Sequence, residues 1–193
     1  EANELQVVDE STNSETDKKQ NNESELIPLR TNFNETAFFY PQLKTDEEGK
    51  TIISFKTPDA LTEWKIMLLA HDQELKIGQL VKNIKAKKEL MLLPNVPRFV
   101  RQGDELSFTS KVVNLSENDM NVVEEIEFFD ALKMEKLNIS EDELSKNVTI
   151  EAKSNTSLSW KINIPDNISM LTYRIKAKSE KFTDGEERSI TIL

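Results

Sequence analysis

The sequence predicts an all-β protein built from antiparallel β-sandwich domains, and two observations support this prediction. First, apolar residues alternate with polar ones over several runs, most clearly at Leu158, Trp160 and Ile162. Second, turn-type residues separate the runs, as at 183–186, where we predict the last hairpin turn. Alternation with a period of two buries one face of each strand, so we expect two sheets packed inner face to inner face.

Residues 88–193 are predicted to form one complete sandwich, because their strand runs have the spacing of a seven-stranded antiparallel domain. The predicted strands are Glu89–Leu93, Glu105–Leu115, Val122–Phe128, Val148–Ala152, Leu158–Ile164, Leu171–Ala177 and Ile190–Ile192. Pro94 and Pro97 are expected to interrupt the chain after the first of them. Trp160 is expected to point inward and to be central to the core.

Residues 30–87 hold fewer predicted strands, too few to close a sandwich, so we expect a partial domain. Strands are predicted at Phe33–Tyr40, Thr51–Lys56, Trp64–Ala70 and Leu75–Lys87, with a turn at Thr45–Gly49. The nearly continuous apolar run at 64–70 is typical of a strand covered on both faces. A helix at 75–88 is the weaker alternative, because Gly78 would fall inside it.

The charge of the chain is concentrated in residues 1–29. The 193 residues carry a net charge of -10, and this stretch alone has eight acidic and two basic residues. It has no aromatic residue, and such a composition buries too little apolar surface to offset the entropy of ordering. Two interpretations stay open: a solvated terminal linker, or a protease-accessible stretch with a trypsin-type site at Lys18 and Lys19.

The residue types needed for most catalytic and metal chemistry are scarce. The chain has no Cys and one His, His71, which follows the 64–70 run as an expected partly buried or surface residue. We therefore predict no catalytic residue, no cofactor and no zinc site, and no enzyme activity. The acidic groups at 46–48 and 140–143 lack the spacing of a calcium loop and are expected to be solvated turns. The net negative charge argues against nucleic acid as a partner.

The sequence also favours a bacterial, exported origin. It is rich in Asn and Lys and lacks Cys, so its Asn-x-Ser/Thr motifs are expected to be chance occurrences rather than glycosylation sites. These motifs begin at Asn22, Asn34, Asn114, Asn138, Asn147, Asn155 and Asn167. We expect a piece of a longer chain that carries its targeting signals elsewhere, with no membrane contact by this piece.

Two motifs carry a resemblance to a known family. Residues 30–41 follow the pattern Arg-x-x-Phe-x-Glu-Thr-x-Phe-Phe-Tyr-Pro, and residues 55–64 follow Phe-x-x-Pro-Asp-x-Leu-Thr-x-Trp. Together they resemble the segment after the bait region in the alpha-2-macroglobulin family of bait-and-trap protease inhibitors, here of bacterial type. Residues 97–104, followed by 112–114, are similar to the opening of the next macroglobulin-like domain. The resemblance covers about residues 30–115.

The resemblance implies a domain organisation and a function. Residues 1–29 would be a disordered, bait-like acidic tail, 30–87 the second half of a split macroglobulin-like domain, and 88–193 a complete one. Such domains have a fibronectin type III or immunoglobulin-like sandwich fold. The chain would be a non-catalytic scaffold of a broad-range endopeptidase inhibitor, in which residues 30–43 tie the end of the bait to a strand of the split domain.

The implied partners are proteases, met through the intact inhibitor, and neighbouring macroglobulin-like domains of the parent chain. The implied location is the bacterial periplasm or cell envelope, with an extracellular location as the alternative. The family's Cys-Gly-Glu-Gln thioester motif does not occur here, since the chain has no Cys. A structural or adhesive β-sandwich module of a bacterial cell-envelope protein stays open as the alternative function, because a fold does not fix a function.

Overall fold

A computed structural model describes residues 27–193, and this part of the chain contains eleven strands and no helix. No segment in it could therefore cross a membrane as a helix. The strands are β1 (Glu63–His71), β2 (Ile77–Lys85), β3 (Leu90–Asn95), β4 (Phe99–Val100), β5 (Glu105–Asn114), β6 (Met120–Asp130), β7 (Lys136–Leu137), β8 (Ser145–Ile150), β9 (Asn155–Asn163), β10 (Met170–Lys178) and β11 (Thr183–Ile192).

The strands from β3 onward form the sandwich that the sequence predicts. One sheet has the order β3-β5-β9, and the other has the order β4-β11-β10-β6-β7, with β8 also paired to β6. Seven of these strands are long, and all pairings between them are antiparallel. The short β4 adds a parallel pair with the end of β11. The all-β sandwich prediction is confirmed.

Alternating side chains from both sheets meet in one core. Phe108 and Trp160 come from the three-stranded sheet, and Phe128 and Tyr173 come from the other; all four are fully buried. The Phe108 ring packs edge-on against the rings of Phe128 and Trp160, with centroids 5.8 and 6.5 Å away. The indole N–H of Trp160 donates to the Glu143 carbonyl at 3.1 Å. The inward assignment of Trp160 is confirmed.

Strands β1 and β2 form a separate two-stranded antiparallel sheet. Both were expected as strands, and the weaker helical alternative for 75–88 is wrong. The expectation that residues 64–70 are covered on both faces is also wrong within the described residues, because Met67 and Leu69 are 64% and 71% exposed. Trp64, Ile66 and Leu68 on the opposite face are half-buried. Within residues 27–193, the hairpin thus presents apolar side chains without a second sheet above them.

Residues 31–62 adopt irregular structure, so the strands predicted at Phe33–Tyr40 and Thr51–Lys56 are wrong. No neighbouring strand among the described residues offers either segment a ladder of hydrogen bonds. The segments meet instead through their aromatic rings, with the Phe38 and Phe55 centroids 4.4 Å apart. The predicted turn at 45–49 is confirmed, and Asp46 closes it by accepting the amide of Lys50 at 2.8 Å.

Two local predictions in the sandwich need correction. Residues 183–186, predicted as a turn, belong to β11. The turn lies just before, where the amide of Ser179 donates to the Phe182 carbonyl and the amide of Phe182 donates to Oγ of Ser179, at 2.9 and 3.0 Å. Pro94 lies inside β3 rather than after it. Since β3 is an edge strand, it tolerates a residue without an amide hydrogen.

Candidate functional site

The chain enters the sandwich at Arg30, which lies beside β11 at the edge of the larger sheet. Its amide donates to the Gly185 carbonyl at 2.9 Å, and its carbonyl accepts the amide of Glu187 at 3.1 Å. These two bonds make a parallel bridge centred on Glu186. Further along β11, β4 pairs in parallel with residues 191 and 192. Arg30 therefore adds a single-residue bridge to the edge of the sheet that β4 pairs further along.

The Arg30 side chain reaches between the two sheets and is 7% exposed. Its Nε and one terminal nitrogen donate to the two carboxylate oxygens of Asp184 at 3.0 and 3.2 Å. The same terminal nitrogen donates to the Leu92 carbonyl on β3 at 2.7 Å. The other terminal nitrogen lies 3.2 Å from Oε2 of Glu186. We call Arg30, Leu92, Asp184 and Glu186 the Arg30 junction.

Asp184 joins the two sheets as well as binding Arg30. It is completely buried, and its Oδ2 accepts the amide of Leu92 at 2.9 Å. The ammonium group of Lys88, at the start of the predicted complete domain, lies 2.8 Å from its Oδ1. A buried carboxylate is tolerated when cations and hydrogen-bond donors surround it, and Asp184 has both.

Glu186 is held by groups from β10 and from its own strand. The Tyr173 hydroxyl donates to its Oε1 at 2.7 Å, and Nε of Arg188 lies 3.5 Å from the same oxygen. Burial, followed by the nearby negative charge of Glu186, raises the pKa of the Tyr173 hydroxyl. Tyr173 therefore stays protonated at neutral pH and serves as a permanent donor to this carboxylate.

Leu29 fixes the segment on the outer side of the sheet. A methyl group added at Gly185 would lie 2.7 Å from Cδ2 of Leu29 and 3.5 Å from Cγ2 of Ile27. The missing side chain of Gly185 thus leaves room for both apolar residues. Leu29 packs on one side of the sheet and Arg30 on the other, as expected of successive residues in a strand.

The two motifs that resemble the family meet at this junction. Oδ2 of Asp59 accepts the amides of Thr31 and Asn32 at 3.1 and 2.9 Å. The Asp59 amide donates to the Asn32 carbonyl at 2.7 Å. The Phe33 ring lies under the Arg188 guanidinium, 3.6 Å from ring centroid to Cζ. Residues 30–33 are therefore held by both the sandwich and the 55–64 motif.

An open cleft of about 660 Å³ lies beside the junction, between residues 31–35 and the outer face of the larger sheet. Polar groups such as Glu35, Thr172 and Arg188 line much of it. Its lining includes no His, and the hydroxyls of Thr172 and Ser189 lie 2.8 Å apart and bond to each other. No group of three or more metal-binding side chains occurs within residues 27–193.

The individually predicted residues do not gather into a site. Lys18 and Lys19 lie outside the described residues, so cleavage there stays a prediction. His71 is exposed at the end of β1, with Nδ1 3.3 Å from the Asp72 carbonyl. Asp46 is an exposed turn residue. The expectation that residues 30–43 attach to a strand of the split domain differs from the structure, in which Arg30 binds β11 of the 88–193 sandwich.

Sequence reasoning missed Asp184 and Glu186, because both were placed in a turn. One signal could have revealed them. Ile190 and Ile192 are buried, and extending their alternation backward along β11 brings Glu186 and Asp184 to the same inner side. Two ionised carboxylates on a buried side are costly unless a cation from elsewhere in the chain reaches them.

Comparisons with known proteins identify relatives of this chain. The model of the alpha-2-macroglobulin family matches residues 36–126. Alpha-2-macroglobulin of Thermotoga maritima is 25% identical over 146 residues, which make up 76% of this chain and 9% of that protein. An alpha-2-macroglobulin homolog of Nostoc sp. is 32% identical over 109 residues, 56% of this chain and 6% of that protein. The matched region thus spans less than a tenth of these curated relatives.

The fold is also similar to that of a solved structure. Trypsin-activated alpha-2-macroglobulin from Escherichia coli superposes with a TM-score of 0.67 and 13% sequence identity. The superposition covers 78% of this chain and 10% of that one. At this level of identity the similarity concerns the fold.

Proposed function

Because this chain belongs to the alpha-2-macroglobulin family, we propose that it is a non-catalytic scaffold of a bacterial-type, bait-and-trap protease inhibitor. In this proposal it couples cleavage of a bait to rearrangement of the surrounding domains. One observation carries the proposal: the first residues after the tail are built into the 88–193 sandwich through the buried Arg30 junction. A change upstream of Arg30 therefore acts directly on a folded domain.

The physical basis of the coupling is a mechanical connection rather than a chemical step. Residues 30–33 bond to β11 on one side and to Asp59 on the other. A segment that is fixed to a folded domain restrains the elements to which it is attached, and proteolysis of that segment releases the restraint. Residues 1–29 would be the bait-like end of this restraint, with Lys18 and Lys19 as trypsin-type sites.

The β1–β2 hairpin supports the domain division at about residues 30–87 and 88–193. A two-stranded sheet is marginally stable by itself in water. This hairpin exposes Met67, Leu69 and Ile77 at 64%, 71% and 72%. We assign these exposed faces to the remaining strands of a split macroglobulin-like domain, contributed by other parts of the parent chain. Arg30 then belongs by contact to the complete sandwich, although it precedes the hairpin in sequence.

The proposed partners follow from the family. The intact inhibitor would meet proteases, and this chain would contact neighbouring macroglobulin-like domains rather than nucleic acid or membrane. The relatives come from bacteria, and the Escherichia coli homologue was activated by trypsin. We place the parent protein outside the cytoplasm, in the periplasm or cell envelope, with release from the cell as the alternative.

Limited digestion tests the proposal. The 193-residue chain would be treated with small amounts of trypsin, elastase and chymotrypsin, and the first cuts would be mapped by mass spectrometry. We expect the earliest cuts by each protease to fall within residues 1–29. If the tail resists all three proteases while the sandwich stays intact, the bait assignment fails. The structural or adhesive module would then be the better assignment.

A further inference from the structure

Building on the proposed function, we infer that the Arg30 junction is a fixed anchor that ends the protease-sensitive stretch. Cleavage upstream would leave residues 27–30 docked on β11. Arg30 is itself a trypsin-type residue, the next basic residue after Lys19. The bond between Arg30 and Thr31 would nevertheless resist proteases that cut at Lys18 and Lys19.

The backbone of Arg30 is already paired. A protease binds its substrate as an extended segment and pairs with the main-chain groups of that segment. The amide and the carbonyl of Arg30 are both bonded to β11, at 2.9 and 3.1 Å. Asp59 also holds the next two amides, those of Thr31 and Asn32. A protease would have to remove this whole segment from the sheet before cutting it.

The side chain of Arg30 is also already bound. Trypsin-type proteases recognise Arg or Lys by placing the cation against an aspartate in a specificity pocket. Here Asp184 and Glu186 form such an acidic environment within the chain, with the Leu92 carbonyl as a further acceptor. The guanidinium cannot occupy both environments at once. Cleavage must therefore follow the small population in which the junction is open.

Cleavage upstream does not remove any of these contacts. Asp184 is completely buried with Arg30 in place, and if Arg30 left, Lys88 would be its remaining cation. Glu186 would retain Tyr173 and the more distant Arg188. An incompletely compensated buried charge opposes opening strongly. We therefore expect the anchor to persist after cleavage, so that movement occurs upstream of residue 27 or between domains, while residue 30 stays in place.

The first test compares cleavage rates at individual bonds during trypsin digestion. In the unsubstituted 193-residue chain, cutting after Lys18 or Lys19 should precede cutting after Arg30. In an Asp184→Asn/Glu186→Gln variant, the rate at the Arg30–Thr31 bond should rise about tenfold or more, because the open population grows. The control is Glu105→Gln/Glu151→Gln, which removes the same charge from two exposed positions of the sandwich. The rate of cleavage of its Arg30–Thr31 bond should match that of the unsubstituted chain.

The second test does not depend on whether the tail is a bait, or on whether the double variant folds. A chain beginning at Ile27 imitates the product of upstream cleavage. Hydrogen exchange at the amides of Arg30 and Glu187 should be unchanged, within about twofold, relative to the 193-residue chain. Fast exchange at these amides in the shortened chain would contradict the proposal that the junction is a fixed anchor. Early cutting at Arg30–Thr31 in the unsubstituted 193-residue chain would contradict it as well. Resistance of residues 1–26 to every protease would instead contradict the bait assignment alone.

Discussion

Arg30 and Asp184 are 154 positions apart in the sequence, yet they form a buried two-bond ion pair at 3.0 and 3.2 Å. Through this pair the segment that follows the tail becomes part of the sandwich edge. Asp184 also bonds the amide of Leu92, so the pair connects both sheets. Loss of one partner should therefore affect the fold as well as the attachment of the tail.

We expect Arg30→Met to lower the free energy of unfolding by about 3–5 kcal/mol, since it leaves two buried carboxylates short of a cation. Urea denaturation followed by circular dichroism would measure the change. Arg98→Met is the control, because Arg98 is exposed and takes no part in the junction. It should cost no more than about 0.5 kcal/mol. Equal effects of the two substitutions would show that the ion pair contributes little.

Trp160→Ala should lower the free energy of unfolding by about 3–5 kcal/mol, because it opens a cavity in the centre of the core. The indole is fully buried and packs on Phe108. Trp64, the other tryptophan, is half-buried on the β1–β2 hairpin and serves as the control. Trp64→Ala should have a smaller effect on the same transition. A melting temperature of Trp160→Ala within a degree or two of the parent would contradict the assigned packing.

Glu124 should make the sandwich less stable as the pH rises. It lies on the inner face of β6, completely buried, and burial raises its pKa to about 7 despite the opposing effects of Ser110 and Lys146. The folded state therefore binds a proton that the unfolded state releases near pH 4.5. The stability contributed by this group is highest below about pH 4.5, falls as the pH rises from about 4.5 through 7, by about 3 kcal/mol in all, and is lost above that range.

Glu124→Gln should remove this loss of stability between pH 5 and 8, and urea denaturation at several pH values would measure it. Glu127, on the opposite face, has its pKa lowered by a hydrogen bond from Lys136. The stability that Glu127 contributes is lost only as the pH falls through that lowered pKa, which lies below the pH range of the experiment. A Glu124→Gln variant that keeps the slope of the parent would assign the pH dependence to other groups.

Gly185→Ala should weaken the attachment of Arg30 to β11, because the added methyl group would collide with Leu29 of the segment 27–29, which covers Gly185. The added methyl group would lie 2.7 Å from Leu29 and 3.3 Å from the Ile175 carbonyl oxygen. We expect a loss of about 1–3 kcal/mol, typical of overpacking, together with faster trypsin cutting after Arg30. Gly78→Ala is the matched control, since a methyl group there meets nothing within 4 Å. A neutral Gly185→Ala variant would show that Leu29 moves aside without cost.

The alternation of apolar residues predicted the complete sandwich well. The inward positions of Phe108, Phe128 and Trp160 follow from the period-two pattern. The same pattern failed at 33–40 and 51–56, where aromatic residues are packed by loops rather than by strands. The alternation of apolar and polar residues indicates that a segment is able to form a strand. The strand forms only where a neighbouring strand pairs with it through hydrogen bonds.

The sequence by itself determined the all-β class, the seven long strands of the 88–193 sandwich and the resemblance to a protease-inhibitor family. Those features depend on local periodicity and short motifs, which are visible within a few residues of each other. Only the tertiary structure decided that Arg30 meets Asp184 and Glu186, and that Leu29 fills the space above Gly185. The physical reason is that such contacts join distant parts of the chain, so their partners are fixed when β11 finds its place in the sheet.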